Sequence, residues 1–197
     1  MNLPNKLSIF RIILVPVITA IFLFPYAQFG IAINIYKIGD VSLSLVDIIV
    51  LILFIVASLT DALDGHLARS RNLITSFGKF IDPIADKLLV NTLFILLAYR
   101  GTLLLIPVII MIWRDTMVDG MRMMAGKGGV VVAAQMSGKL KTVFQMITII
   151  VALLANLPFA LIGIPMVDIL LWASCIISVY SGIQYFQQTS AYILESK

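Results

Sequence analysis

From Leu7 to Pro25 the chain reads LSIFRIILVPVITAIFLFP, nineteen residues with a single charge, Arg11. A helix needs about 20 mostly apolar residues to cross a bilayer. Five further stretches have this character: Leu45–Leu67, Gly78–Tyr99, Leu103–Met124, Ser137–Asn156 and Val167–Gln187, several with charges gathered at one end. A soluble domain carries about 25% charged residues; this chain carries 12%, with 61% hydrophobic. A chain of 197 residues cannot hide that much apolar surface from water. The pattern predicts an all-α integral membrane protein of six transmembrane helices, folded as one domain over residues 1–197, with no repeat and no low-complexity linker. The opening segment lacks the small-residue cleavage pattern of a signal peptide. The single cysteine, Cys175, lies in an apolar run and reads as a small buried hydrophobe.

Lys and Arg set the expected orientation. With the N-terminus cytoplasmic, the inner segments hold Lys6, Arg11, Arg69, Arg71, Lys79, Lys87, Arg114, Arg122, Lys127, Lys139, Lys141 and Lys197, and the outer ones only Lys37 and Arg100. Twelve against two is a strong positive-inside bias. Asp47 and Asp168 fall at the outer starts of two helices, where an anion caps the helix.

Against this background, SLTDALDGHLARSRNLITSFGKFIDPIADKLL places four of the ten acidic residues within 26 positions. Asp61 and Asp64 are three apart at one helix end, about 60° apart on its surface; Asp82 and Asp86 are four apart, about 40° around the next helix. The intervening segment is long enough to turn back, so both pairs aim into one cleft. Four carboxylates in a poorly hydrated place repel one another. Protonation, as in a proton relay, relieves this; so do two divalent ions, and oxygen ligands suit Mg²⁺, Mn²⁺ or Ca²⁺. Two metals roughly 3.5–4 Å apart are a device for displacement at phosphorus. The neighbouring residues favour metal: Gly65, Ala68 and Gly78 leave space for a bulky ligand, and Arg69 offers a planar fork for phosphate.

Written out, the stretch is Asp61-x2-Asp64-Gly65-x2-Ala68-Arg69-x8-Gly78-x3-Asp82-x3-Asp86. It resembles the full signature of the CDP-alcohol phosphotransferase family, with no position missing. The resemblance implies six transmembrane helices, a homodimer, and transfer of a substituted phosphate from a CDP-linked donor to an alcohol with release of CMP. It implies Asp61, Asp64 and Asp82 as principal ligands of two Mg²⁺ or Mn²⁺ ions. Asp86 would touch metal and act as general base, and Gly65, Ala68, Arg69 and Gly78 would line the CDP site. His66, the only histidine, stands where the signature leaves the position free and reads as peripheral.

Three more segments bear on the acceptor. PNKLSIFR resembles the PNxLTxxR opening of the branch whose acceptor is sn-glycerol 3-phosphate, with Ser8 in place of Thr, and implies that Asn5 helps bind the nucleotide. IIMIWRDTMVDGMR resembles the RE…LR segment of that branch, with Asp115 in place of Glu, and SGKLKT its GKxKT segment. Arg114 and Arg122, eight apart and close to one helical face, would join Lys139 and Lys141 in gripping an acceptor phosphate. An Arg at the centre of an apolar helix costs about 2.5–3.5 kcal/mol on insertion scales, which argues for use rather than simple anchoring. The implied partners are CDP-diacylglycerol, glycerol 3-phosphate and membrane lipids, with no nucleic acid. The implied products are phosphatidylglycerophosphate and CMP, formed at the cytoplasmic face of the cell membrane. Another acceptor (inositol phosphate, serine or phosphatidylglycerol) stays open, as does a cation- or proton-coupled transporter. A transport path, however, needs polar groups around the midplane, whereas these acids gather near one face.

Overall fold

Every apolar stretch expected to span is a helix in the computed structural model. Helix α1 covers Leu3–Leu23, α2 Leu45–Ser70, α3 Ser76–Tyr99, α4 Leu105–Lys127, α5 Met136–Leu153 and α6 Met166–Leu194. The structure describes residues 2–70, 75–127 and 135–194. Hydrocarbon offers no hydrogen bonds, so a lipid-exposed backbone must satisfy its own, and the helix does this within one segment. Among the described residues, Asn5–Leu23, Met136–Leu153 and Met166–Ser190 are long and apolar enough to cross a bilayer by length and composition. Helices α2, α3 and α4 carry more charge. Helix α6 runs on past Gln187 because nothing in QTSAYIL, neither Gly nor Pro, stops it.

Sequence periodicity assigns no element to residues 26–44. There the structure forms a 3-10 turn at Tyr26–Phe29 and a hairpin, β1 Ile35–Ile38 and β2 Val41–Ser44, antiparallel with Ile35 opposite Ser44 and Ile38 opposite Val41. The strands are too short for a clear two-residue alternation to show. Phe24 packs edge-on against Tyr26 and stacks on Phe29, an aromatic group at the end of α1 of the kind enriched at membrane interfaces. Asp47 and Asp168 sit in the first turns of α2 and α6, as expected of capping anions.

The chain forms two compact units. The first comprises Met1–Leu96 and Ile150–Ile164; the second comprises Leu97–Ile149 and Pro165–Lys197. In the first, α1 packs along α2, and Ile18, Val50, Phe54, Ala57, Leu89 and Leu93 are buried. In the second, α4 packs along α6. Ser174, Ser178 and Ser181 of α6 are fully buried with Leu171 and Val108, and small side chains of this kind let helix backbones approach closely. Cys175 is buried on the same helix.

Candidate active site

The first unit gathers the acids. Helix α1 starts at an Asn2 cap whose side-chain oxygen accepts the Asn5 N–H at 3.2 Å. One face of α1 then presents polar residues at every third position, Asn5, Ser8 and Arg11, all buried, with Arg11 only 1% exposed. Each meets α3 or its cap. Thr75 precedes α3; its hydroxyl accepts the Gly78 N–H at 3.0 Å and donates to Asn5 Oδ1 at 2.9 Å. A Cβ on Gly78 would lie 3.1 Å from Asn5 Oδ1 and 3.3 Å from Thr75 Oγ1, so glycine lets α3 begin this close to α1 without pushing those side chains aside. One turn on, Ser8 Oγ donates to Asp82 Oδ1. Arg11 Nη1 donates to both Asp61 Oδ1 of α2 and Asp86 Oδ1 of α3, and its Nη2 lies 3.8 Å from Asp82 Oδ1. The structure thus brings together five residues singled out by sequence, Asn5, Gly78, Asp61, Asp82 and Asp86. Asp64, Gly65, His66, Ala68 and Arg69 have side chains outside the described part.

The carboxylates stand between a buried cation and open space. Beneath them lies Arg11; their own side chains remain 41% exposed for Asp61, 42% for Asp82 and 47% for Asp86. An all-oxygen donor set drawn from two helices toward one cation has the chemistry that hard divalent ions take. With the guanidinium among them, no three acidic, histidine or cysteine side chains among the described residues close on a common ion position. Asp61, Asp82 and Asp86 therefore fit divalent ions in donor chemistry and in openness.

Sequence reasoning left Ser8 and Arg11 without a role. The signal was present: three polar residues spaced by three in an otherwise apolar run share one helix face, and a buried arginine in such a run requires anions nearby.

The second unit holds a separate charged cluster. Lys141 of α5 donates to both oxygens of Asp115, at 2.6 and 2.7 Å. Arg114, adjacent on α4, donates to Asp115 Oδ1 and to Ser181 Oγ of α6, both at 2.8 Å, and its guanidinium lies 5.7 Å from the centre of the Tyr185 ring. Asp115 and Lys141 are buried. A Cβ on Gly182 would come within 3.0 Å of Arg114 Cγ, so glycine makes the room in which the arginine lies. One carboxylate thus gathers two cations from adjacent helices. Arg114 Nε is buried without a hydrogen-bond partner among the described residues. Such a cluster is suited to an anion. Arg122 and Lys139 are exposed and form no ion pair among the described residues, so of the four cations proposed for the acceptor the structure joins two.

Comparison with known proteins gives a consistent result. A family model described as CDP-alcohol phosphatidyltransferase matches residues 1–180. The CDP-diacylglycerol–glycerol-3-phosphate 3-phosphatidyltransferase of Bacillus subtilis (strain 168) is 42% identical over 187 residues, 95% of this chain and 94% of that protein. Proteins of the same name from Rickettsia typhi and Mycoplasma genitalium are each 35% identical, over 97% of this chain and over 98% and 86% of their own lengths.

Proposed function

The chain belongs to the CDP-alcohol phosphatidyltransferase family, and on that premise we propose that it transfers the phosphatidyl group of CDP-diacylglycerol to sn-glycerol 3-phosphate, giving phosphatidylglycerophosphate and CMP. The relatives carry this activity in their name over nearly their whole length. The observation that carries the chemistry is the gathering of Asp61, Asp82 and Asp86 around Arg11, beside the Asn5–Gly78 contact. Asp61, Asp64, Asp82 and Asp86 would hold two divalent ions, Mg²⁺ or Mn²⁺; when bound, these polarise the donor diphosphate and neutralise the departing CMP.

The residues of the chain supply the rest. Asn5 and Gly78, with Gly65, Ala68 and Arg69, bind the CDP moiety. The lack of a side chain at Gly78 lets Asn5 and Thr75 pack against the start of α3, which holds Asn5 beside the acids. Asp86 accepts the proton of the acceptor hydroxyl as its oxygen bonds to the phosphatidyl phosphorus and the bond from that phosphorus to CMP breaks. Arg114 and Lys141, held by Asp115, bind the acceptor phosphate, with Arg122 and Lys139 adding exposed positive charge that draws the dianion in. A phosphate-bearing acceptor is favoured over serine by the two cations, Arg114 and Lys141, gathered here. Residues 1–197 act as a single catalytic domain, a reading supported by a family match that runs through both compact units.

The protein is a membrane protein by its apolar helices and its family. We place it as a multi-pass enzyme of the cell membrane with its N-terminus and acids on the cytoplasmic side, on the strength of the Lys and Arg distribution, and as a homodimer on the strength of its family. The test is a product assay on purified enzyme with CDP-diacylglycerol and, in turn, glycerol 3-phosphate, inositol phosphate, serine and phosphatidylglycerol, each with Mg²⁺, Mn²⁺ or chelator. Phosphatidylglycerophosphate and CMP formed only with glycerol 3-phosphate and a divalent ion is the expected result. Full turnover in chelator after thorough metal removal would end the two-ion reading, and preference for another acceptor would overturn the named product.

A further inference from the structure

We propose that Thr75 is a positioning residue for the nucleotide: its hydroxyl fixes which end of the Asn5 amide faces the CDP moiety. The inference rests on the reading of Asn5 as a nucleotide-binding residue and adds to it the residue that turns the amide. Three observations carry it. Thr75 Oγ1 accepts the Gly78 N–H at 3.0 Å and donates to Asn5 Oδ1 at 2.9 Å. Asn5 is also held from the other side, its backbone N–H bound to Asn2 Oδ1 at 3.2 Å, and it is 7% exposed, so its side chain has little room to move. The point where a Cβ of Gly78 would stand is 3.1 Å from Asn5 Oδ1 and 3.8 Å from Asp82 Oδ2, which sets the amide next to the acid cluster.

Counting protons explains the direction. A hydroxyl has one proton to give and accepts through its lone pairs. With the Gly78 N–H filling one lone pair, Thr75 gives its proton to Asn5, and only the oxygen end of an amide can take it. The NH₂ end, which carries two donors, is thereby turned the other way. The phosphate oxygens of a nucleotide, and the carbonyl and ring nitrogen of cytosine, are acceptors, so the NH₂ end is the one that binds them. Without the Thr75 hydroxyl the amide can turn over at little steric cost, since its two ends are nearly alike in shape. The charged Asp82 is then a strong rival for its N–H groups. The same hydroxyl caps α3, so one side chain sets both the start of the helix and the amide beside it.

The test is a double-mutant cycle on the full-length enzyme in detergent: wild type, Thr75→Val, Asn5→Ala and the double variant, with Thr75→Ser as the conservative replacement. Each is titrated calorimetrically with CDP in Mg²⁺, and its apparent KM is measured for CDP-diacylglycerol and for glycerol 3-phosphate. Thr75→Val is expected to bind CDP about two- to tenfold more weakly, the value of one neutral hydrogen bond. Its KM for CDP-diacylglycerol rises to match, and that for glycerol 3-phosphate changes little. Thr75→Ser keeps the proton and binds CDP as wild type does. In the Asn5→Ala background, Thr75→Val weakens CDP binding no further, because residues that act through one another are not additive. Wild-type CDP affinity in Thr75→Val, or the same loss with and without Asn5, would reduce the hydroxyl to a helix cap and overturn the proposal. If Thr75→Val does not fold, Thr75→Asp takes its place in the cycle under the same two criteria: it caps α3 but has no proton to give. Asn5→Ala that binds CDP as tightly as wild type would sink the nucleotide role of Asn5 itself, a separate outcome.

Discussion

Asp115 is one buried carboxylate holding two cations, the buried Lys141 and the largely covered Arg114, and the consequences of removing it follow from that. Asp115→Asn keeps the shape but removes the charge that Arg114 and Lys141 share. Breaking a buried pair in this way costs about 3–5 kcal/mol, so a clearly lower melting temperature in detergent is expected, with a higher requirement for glycerol 3-phosphate in what folds. An unchanged melting temperature would mean that water reaches the cluster. The acids of the first unit separate by role. Asp86→Asn should lose turnover while retaining most donor binding, since its base role belongs to the chemical step. Asp61→Asn should lose Mn²⁺ binding as well, because it removes an anionic ligand. Titration with metal and donor, set beside steady-state rates, compares the two; near-normal turnover in Asp86→Asn would remove it as the base. The importance of these acids was legible in their spacing. That of Asp115 was not, because an acid next to an arginine in sequence does not reveal a lysine reaching it from another helix.

At the scale of elements, glycine decides how closely helices meet where function requires it. Helix α6 passes Arg114 of α4 at Gly182, and a methyl group there would lie 3.0 Å from Arg114 Cγ and 3.3 Å from Nε. Gly182→Ala therefore presses on the arginine's stem, which has to shift by a few tenths of an ångström relative to Ser181 and Asp115. The expected effect is a rise in the apparent KM for glycerol 3-phosphate of about tenfold, the value of one charge-assisted contact, with the KM for CDP-diacylglycerol little changed. Steady-state kinetics with each substrate varied in turn provides the check. An equal rise for both substrates would assign the arginine to something other than the acceptor. The helices themselves were legible from apolar length, and the starts of α2 and α6 from Asp47 and Asp168, whereas the starts of α1 at Asn2 and α3 at Thr75 were not. The hairpin at Ile35–Ser44 was not, since strands of four residues carry too little pattern.

For the whole molecule, orientation is the property that the Lys and Arg distribution predicts most directly. With Cys175 replaced by serine to remove the one native thiol, Tyr36→Cys in the hairpin should react with a membrane-impermeant maleimide added to intact cells. Lys6→Cys at the start of α1 should react only after the membrane is opened. The reverse pattern would turn the chain over and place the acids outside. Both positions are exposed in the structure, so labelling reports the side of the membrane.

Sequence by itself determined the lipid-facing character, the six helices and the acidic signature, because each is written in local terms: apolar length, helix period and fixed spacing. It also pointed to Asn5 and Gly78 by resemblance. Only the tertiary structure decided what the acids and cations touch. That Arg11 lies beneath Asp61, Asp82 and Asp86, and that Asp115 binds Lys141 as well as Arg114, depends on contacts between residues far apart in the chain. Such contacts are set by which helix faces pack together, and side-chain identity at one position does not encode the partner that packing delivers.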